Sequence, residues 1–192
     1  MFAVGRMACA PHRQEAAAAA GPSLNHSAGI PLDEYGAVAL IPSPNYNARP
    51  AGTIVNCVVL HATATATGQE AVNSFLNPKS ETSSHFIIDR NGAVIEMVPP
   101  ERRAWHAGVS ALDGVADVNS YSVGIELVDH NDGEPYSDAQ YVATAALIRR
   151  LRMHYDIPDA RIVSHAAVAL PPGRKTDPVG FDFARLYTAL RS

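Results

Sequence analysis

Ile54-Val55-Asn56-Cys57-Val58-Val59-Leu60 is the stretch of this chain that decides its fold. A near-continuous apolar run of this length is typical of a strand that is buried on both faces of a sheet, as the strands of α/β domains are. His61 follows the run directly. Because sites in open α/β sheets form outside the carboxyl ends of the strands, this imidazole is the first candidate for a functional residue.

Apolar periodicity and turn residues elsewhere in the chain predict an alternation of strands and helices. The predicted elements are a strand over 54–60, a helix over 68–76, a hairpin from 85–89 and 93–98 around Arg90-Asn91-Gly92, a strand over 123–128, a helix after the Ser137–Gln140 capping box, a strand over 161–164 and an amphipathic helix over 183–190. This order predicts an α/β fold, a single domain with a central mixed β-sheet flanked by helices.

The domain is predicted to occupy residues 41–192. Residues 1–40 contain a run of five alanines and little periodicity, so we expect an N-terminal tail or leader that is partly disordered. The first ten residues make only a weak secretory signal, because no clean apolar region follows a basic start. Cys9 is considered as a lipid-anchor site, against the alternative of a plain disordered start.

Composition argues against several classes of partner. The 192-residue chain has a formal net charge of -4 and no basic block, which disfavours nucleic acid and anionic membrane surfaces as partners. No apolar run approaches the roughly 20 residues that span a bilayer. With only Cys9 and Cys57 present, no disulfide framework is predicted, and Cys57 is expected to be a small buried apolar residue.

A second apolar strand leads into His165, and a proline-rich loop then brings Lys175 and Asp177 two residues apart. Two imidazoles and one carboxylate provide three ligands and leave a fourth position for water, which is the ligand count of a catalytic zinc site. We therefore predict one Zn²⁺ per chain, bound by His61, His165 and Asp177. A lone histidine at a strand end is more often a hydrogen-bonded structural residue, so the prediction depends on all three side chains converging.

Two further residues are candidates for catalysis. Glu126 lies late in a strand among apolar neighbours, where a carboxylate costs free energy unless it is paired or functional. We predict that Glu126 is the general base, and a salt bridge to a basic side chain is the alternative. Lys175 is predicted to stabilise the oxyanion that develops during amide hydrolysis, although taken alone it belongs to an ordinary basic turn.

The combined motifs resemble the zinc-dependent N-acetylmuramoyl-L-alanine amidases of the type-2 amidase family. That family shares its fold with peptidoglycan recognition proteins and amidase-type phage lysozymes. The matching segments cover about residues 43–185 and are Ser43-Pro44-Asn45-Tyr46-Asn47, Val58-Val59-Leu60-His61, Ser84-His85-Phe86-Ile87-Ile88-Asp89, Ala104-Trp105-His106-Ala107-Gly108, Ser122-Val123-Gly124-Ile125-Glu126-Leu127 and Pro172-Gly173-Arg174-Lys175-Thr176-Asp177-Pro178.

The resemblance implies a peptidoglycan-recognition-protein-like fold. It also implies cleavage of the amide bond between N-acetylmuramic acid and the L-alanine of the stem peptide, in peptidoglycan or its fragments. The zinc and catalytic roles predicted above carry over to the same residues. Substrate-binding roles are implied for Trp105 and His106, which would contact sugar or peptide in a groove, and for His85, which would support the groove or the sheet.

Other functions remain open from the sequence. A non-catalytic peptidoglycan-binding recognition module is the main alternative, but relatives that only bind typically lose a metal ligand, and all three ligand positions are filled here. A zinc peptidase of other specificity is disfavoured by the family match around Trp105 and Glu126. Oligomeric state, and the choice between intact murein and anhydro-muropeptides, are not readable from the sequence.

The chain departs from the family pattern between His165 and Lys175. The loop that begins with 166–172 is two residues longer than is usual and lacks an acidic residue, which affects the expected loop shape rather than the ligands. The Ser43–Asn47 segment resembles envelope-located members, so a cell-envelope location, periplasmic or secreted, is expected. The cytoplasm is the alternative.

Overall fold

A six-stranded sheet forms the centre of this computed structural model, which describes residues 33–192. The strands are β1 (Ala39–Leu40), β2 (Tyr46–Ala48), β3 (Cys57–Ala62), β4 (Phe86–Ile88), β5 (Val94–Glu96), β6 (Arg102–Ala104), β7 (Ala111–Leu112), β8 (Val115–Ala116), β9 (Ser122–Leu127) and β10 (Ile162–Ser164). The helices are α1 (Gly68–Leu76), α2 (Asp138–Leu151), α3 (His165–Val168) and α4 (Phe183–Arg191).

The central sheet is mixed, as predicted. Its strand order is β1-β5-β4-β9-β3-β10, in which β4, β9, β3 and β10 run parallel to one another. The predicted hairpin supplies the antiparallel pair β4–β5, and β1 pairs with β5 in parallel. Two small ribbons, β2–β6 and β7–β8, lie outside this sheet. The carboxyl ends of the four parallel strands therefore meet at one edge, where a site is expected.

The period-two alternation of the strands separates two layers. Val58 and Leu60 of β3 pack into the main core against α2 and α4, together with the corresponding residues of β4 and β9. Cys57 and Val59 face the other way, into a smaller cluster that includes Val168 of α3. His61 has the same parity as Cys57 and Val59, so its side chain lies on the face opposite α2 and α4.

Side-chain caps explain where the predicted helices begin. The hydroxyl of Thr67 accepts a hydrogen bond from the backbone N–H of Glu70 at the start of α1. Ser137 and Gln140 form the predicted capping box of α2, with each side chain bonded to the other residue's backbone N–H. Such caps typically contribute about 1 kcal/mol each to the stability of a helix.

Several boundaries differ from the prediction. Strand β3 begins at Cys57 and extends to Ala62, whereas Ile54 is 72% exposed and lies outside the sheet. The sheet also includes β1, and Tyr35 is buried in the main core, so residues assigned to the predicted tail belong to the folded domain. The remainder of that tail, with the suggested lipid-anchor site Cys9, lies outside the described residues.

Within residues 33–192, no helix has the length and apolar character required to cross a membrane. Cys57 is fully buried with a free thiol, as expected for a small apolar core residue.

Glu96 makes the stability of the fold sensitive to pH. This carboxyl is 8% exposed at the end of β5, and burial, followed by the nearby Asp33, raises its pKa to about 7. An unfolded glutamate ionises near pH ~4.3, so the folded state binds more protons between these values and its free energy of unfolding should fall as pH rises through this interval. Glu96→Gln removes the charge and should raise the free energy of unfolding near pH ~8 by on the order of 1–2 kcal/mol, with little effect near pH ~4.

Urea unfolding at both pH values measures this effect. Glu134→Gln is the matched control, because it removes an exposed carboxylate from a loop. A Glu96→Gln variant that is less stable than the wild type at the higher pH would contradict the prediction.

Candidate active site

The register of two parallel strands places His61 beside Glu126. β3 and β9 pair so that His61 is directly aligned with Glu126, one residue before each strand ends. Both side chains lie on the face away from α2, and both residues are at least nine-tenths buried. The Nδ1 atom of His61 is 4.0 Å from Oε1 of Glu126. Two of the predicted site residues are thus brought together by backbone pairing alone.

His165 and Asp177 are brought to the same point by a short helix and the loop after it. His165 directly follows β10, as predicted, and is the first residue of the short helix α3, which Ser164 caps by accepting from the backbone N–H of Ala167. The backbone N–H of Ala166 donates to the carbonyl of Asp177 at 3.0 Å. This bond ties the far end of the longer loop to α3, so the extra loop length does not displace the carboxylate.

The three predicted ligands have the spacing that a zinc ion requires. Oδ2 of Asp177 lies 3.4 Å from Nδ1 of His61 and 3.1 Å from Nδ1 of His165. One ligand atom from each residue lies within 4.8 Å of the others, and all three residues are buried. Tetrahedral coordination with bonds of about 2.0–2.2 Å sets ligand atoms roughly 3.4 Å apart. The donor set and its spacing therefore fit zinc, with a fourth position left for another ligand.

The charge states also suit a metal. Burial lowers the pKa of His61 to about 4, so its imidazole is neutral near neutral pH. Burial opposes the charged form of Asp177, but the imidazoles of His165 and His61 outweigh it and hold the pKa of this carboxyl well below its usual range. Neutral imidazole and ionised carboxylate are the forms that bind zinc.

Glu126 is the least satisfied polar group of the site. Among the described residues, its Oε2 atom is buried and has no hydrogen-bond partner, which excludes the alternative of a salt bridge to a basic side chain at that oxygen. Burial raises the pKa of Glu126 to about 8, Asp177 adds to the increase, and Lys175 acts against it. A buried carboxyl with a raised pKa and a free oxygen in a cavity is typical of a general acid or base.

Comparison with known proteins agrees with this geometry. The family model described as N-acetylmuramoyl-L-alanine amidase matches residues 50–180. The chain belongs to this amidase family. It is therefore an enzyme that hydrolyses amide bonds, as the sequence predicted, rather than a module that only binds. The 1,6-anhydro-N-acetylmuramyl-L-alanine amidase AmpD of Escherichia coli is 34% identical over 163 residues, which cover 76% of this chain and 87% of that protein.

Solved structures of relatives share the fold of the amidase. A crystal structure of an AmpD derivative superposes with a TM-score of 0.68 at 32% identity and covers 83% of this chain and 99% of that one. The amidase AmiD from E. coli, in complex with anhydro-N-acetylmuramic acid-L-Ala-D-gamma-Glu-L-Lys, gives a TM-score of 0.64 at 26% identity, covering 73% of this chain and 60% of that one. The predicted α/β fold and family membership are both confirmed.

Lys175 and Trp105 line the cavity of the amidase that contains the three ligands and Glu126. This cavity has a volume of about 230 Å³. Lys175 is exposed at its rim, two residues before Asp177, and Trp105 is half-buried in its wall. Asn47 holds the indole by accepting a hydrogen bond from Trp105 Nε1 at 2.8 Å. Both residues thus line the cavity, and their roles in catalysis and substrate binding stay predictions.

His85 lies outside the cavity and supports the sheet, which is one of the two supporting roles implied for it. Its side chain is fully buried, and its Nδ1 atom accepts from the backbone N–H of Gly124 at 2.9 Å. Its Nε2 atom lies 3.1 Å from both the carbonyl of Arg102 and the guanidinium of Arg49. Burial and the charge of Arg49 lower the pKa of His85 to about 3. The sequence could not separate a buried imidazole from an exposed one.

His106 lines the cavity, but both of its ring nitrogens are engaged within the protein. Nδ1 is 3.0 Å from Nε2 of His61, and Nε2 is 3.2 Å from the hydroxyl of Ser122. With the ring 8% exposed, only carbon atoms remain free to contact a substrate. Burial, followed by His61 and His85, lowers the pKa of His106 well below the usual value.

Sequence reasoning missed three residues that support the site. Asn119 accepts from the backbone N–H groups of His106 and Ala107, and Arg174 donates to the carbonyl of Ala107. Gly124 packs against the ring of His106. A glycine inside a strand signals close approach of another group, so only Gly124 carried a readable signal.

Proposed function

We propose that this amidase is a zinc enzyme that cleaves the bond between N-acetylmuramic acid and the L-alanine of the stem peptide. His61, His165 and Asp177 would hold one zinc ion per chain. The convergence of these three buried ligand atoms within 4.8 Å, in a chain of this family, is the observation that carries the proposal. A three-ligand zinc ion with an open position polarises a carbonyl and lowers the pKa of water toward ~7.

Glu126 acts as the general base in this proposal. Its free Oε2 atom is buried next to the ligand cluster and accepts a proton from the attacking water. The same carboxyl then donates that proton to the leaving amine of L-alanine, which breaks the carbon–nitrogen bond and restores the carboxylate. The raised pKa of about 8 suits a group that must both take and give a proton near neutral pH.

Lys175 and Trp105 complete the site. The ammonium group of Lys175 at the rim of the cavity stabilises the negative charge that develops on the carbonyl oxygen. The indole of Trp105, held by Asn47, supplies an apolar wall against sugar or peptide. His106 presents only ring carbon to the same space.

The substrates proposed are soluble 1,6-anhydro-muropeptides. The argument is one of likeness: AmpD, which matches over most of both chains, is named as a 1,6-anhydro-N-acetylmuramyl-L-alanine amidase, and the AmiD structure holds an anhydromuropeptide. Incubation with an anhydro-muropeptide and, separately, with intact murein tests this, with mass spectrometry used to detect free stem peptide. We expect rapid release from the fragment, loss of release with a chelator and recovery on adding zinc.

Two other results would change the proposal. Binding of the muropeptide without release of peptide, in protein loaded with zinc, would favour a recognition module. Release that resists complete removal of metal would exclude the zinc role of the three ligands while leaving the amidase activity in place.

The proposed location is the cell envelope, periplasmic or secreted, on the resemblance of the Ser43–Asn47 segment to envelope-located amidases. The cytoplasm is the alternative, and the relatives include amidases of more than one kind. Fractionation of cells that express the full chain distinguishes the two. Recovery of the protein with cytoplasmic markers alone would contradict an envelope location.

A further inference from the structure

A buried chain of hydrogen bonds runs from the ligand His61 to a backbone carbonyl. Nε2 of His61 is 3.0 Å from Nδ1 of His106, and Nε2 of His106 is 3.2 Å from the hydroxyl oxygen of Ser122. The hydroxyl of Ser122 is 2.6 Å from the carbonyl oxygen of Val118. The three side chains are each at most 8% exposed.

The last carbonyl in this chain determines the direction of every bond before it. A carbonyl oxygen only accepts, so Ser122 donates its single proton to Val118. The hydroxyl oxygen must then accept from Nε2 of His106, which leaves Nδ1 of this neutral ring as an acceptor. Nε2 of His61 therefore carries the proton that it donates to His106, and Nδ1 of His61 is left with a bare lone pair.

That lone pair lies at the proposed metal position. Nδ1 of His61 is the atom 3.4 Å from the carboxylate of Asp177. His165 is arranged in the same way: its Nε2 lies 3.2 Å from the carbonyl of Ala107 and must donate to it, so Nδ1 faces Asp177 at 3.1 Å. With both rings neutral, three acceptor atoms converge on one point, and a cation bound there satisfies all three.

We propose that His106 is a positioning residue that fixes His61 in the tautomer whose Nδ1 binds the metal. The proposal rests on the proposed zinc site but not on the choice of substrate. Partners of this kind set the tautomer and the orientation of ligating histidines. The proposal replaces substrate contact as the main role of His106.

The segment that carries His106 serves both imidazole ligands. Its ring accepts from His61, and the next carbonyl, of Ala107, accepts from His165. Oδ1 of Asn119 accepts from the backbone N–H groups of both residues, at 3.1 Å and 2.8 Å, and so holds the segment in place. One rigid dipeptide therefore orients two of the three ligands.

Gly124 leaves the space that the His106 ring needs. A Cβ atom at this position would lie 2.5 Å from Cγ and 2.8 Å from Nδ1 of His106, closer than carbon atoms approach. Gly124→Ala is therefore expected to displace the ring and to weaken zinc binding by about tenfold or more. Gly114→Ala, at a turn with φ +79° and no neighbour within 4 Å of the added atom, strains only the local backbone and should leave zinc binding unchanged.

The tautomer can be read directly in the metal-free protein. ¹⁵N NMR of the histidine side chains should show that His61 is protonated at Nε2. It should also show a scalar coupling between this nitrogen and Nδ1 of His106 across the hydrogen bond. His61 protonated at Nδ1 would overturn the proposal. This readout does not depend on activity or on zinc, so it separates the hydrogen-bond chain from the proposed function. If the wild-type protein binds no zinc but His61 is protonated at Nε2, the assigned hydrogen-bond directions are correct and the proposed zinc site is wrong.

Matched variants test the consequence for metal affinity. His106→Asn keeps an acceptor near the position of Nδ1, whereas His106→Leu has a similar shape and no acceptor. Zinc Kd, measured by competition with a chromophoric chelator, should rise about 10- to 100-fold in the Leu variant and stay within a few-fold of wild type in the Asn variant. Equal affinities in the two variants would overturn the proposal.

A second pair of variants tests the same proposal if His106→Leu does not fold. Ser122→Ala removes the acceptor of His106, while Ser84→Ala removes a buried hydroxyl that has no partner among the described residues. We expect weaker zinc binding only in Ser122→Ala. Identical zinc affinities for these two variants would count against the proposal.

Discussion

Glu126→Gln is expected to bind zinc like the wild type and to lose turnover by about 10²- to 10⁴-fold. The amide has nearly the same shape as the carboxylate but cannot take a proton from water or return it to the leaving amine. Because burial opposes the charged form of Glu126 and its Oε2 has no partner, removing the charge should not lower the free energy of unfolding. Steady-state release of stem peptide, elemental analysis and thermal unfolding on the same preparation measure the three quantities.

The control for this variant is Glu134→Gln, which removes a carboxylate from an exposed loop and should leave turnover unchanged. Full activity in Glu126→Gln would show that another group acts as the base. Loss of zinc in the variant would instead indicate that Glu126 contributes to the metal site. Its Oε1 atom lies 4.0 Å from Nδ1 of His61.

His165→Ala is expected to abolish zinc binding at micromolar metal. Only two ligands remain in this variant. Loss of a residue that hydrogen-bonds to a ligand typically lowers metal affinity 10- to 100-fold, so loss of the ligand itself should lower the zinc affinity further. The variant also leaves a buried space beside Asp177, because the ring of His165 lies 3.1 Å from this carboxylate. Elemental analysis should therefore change from near one zinc per chain to almost none, and peptide release should fall with it.

His154→Ala is the matched control, because this imidazole lies in the turn after α2, with 42% of its side chain exposed. It should retain zinc and activity. Active wild-type protein that contains no metal, or a His165→Ala variant that keeps a full complement of zinc, would contradict the ligand assignment.

The longer elements of the fold were predictable because their apolar pattern is visible in consecutive residues of the sequence. Strand β3 is buried on both faces and appears as a near-continuous apolar run, strand β9 alternates apolar residues with small or polar ones, and the bounds predicted for α1 match the structure. Strands of two or three residues, such as β1, β2 and β7, carry no periodic signal. Their pairing is long-range, as between Tyr46 and Ala104, and no local pattern in the chain encodes it.

The convergence of the three predicted ligands was predictable for a related reason. His61 and His165 each follow a recognisable apolar strand in the sequence, Asp177 lies in the proline-rich loop after His165, and the three residue types already indicate metal chemistry. The difference between His85 and His106 was not predictable, since each has an apolar context in the sequence. Which imidazole lines the cavity depends on Arg49, Gly124 and Asn119, whose contacts are made across the fold.

The alignment of His61 with Glu126 has a consequence for how the gene can vary. Deleting or inserting a single codon within β3 or β9 would rotate the rest of that strand by half a period, and the side chain of His61 or Glu126 would then project into the apolar layer beneath α2. The segment after α3 has no such constraint, because a backbone bond from Ala166 secures its far end. Homologous sequences should therefore differ freely in length between His165 and Lys175 and hardly at all within the two strands.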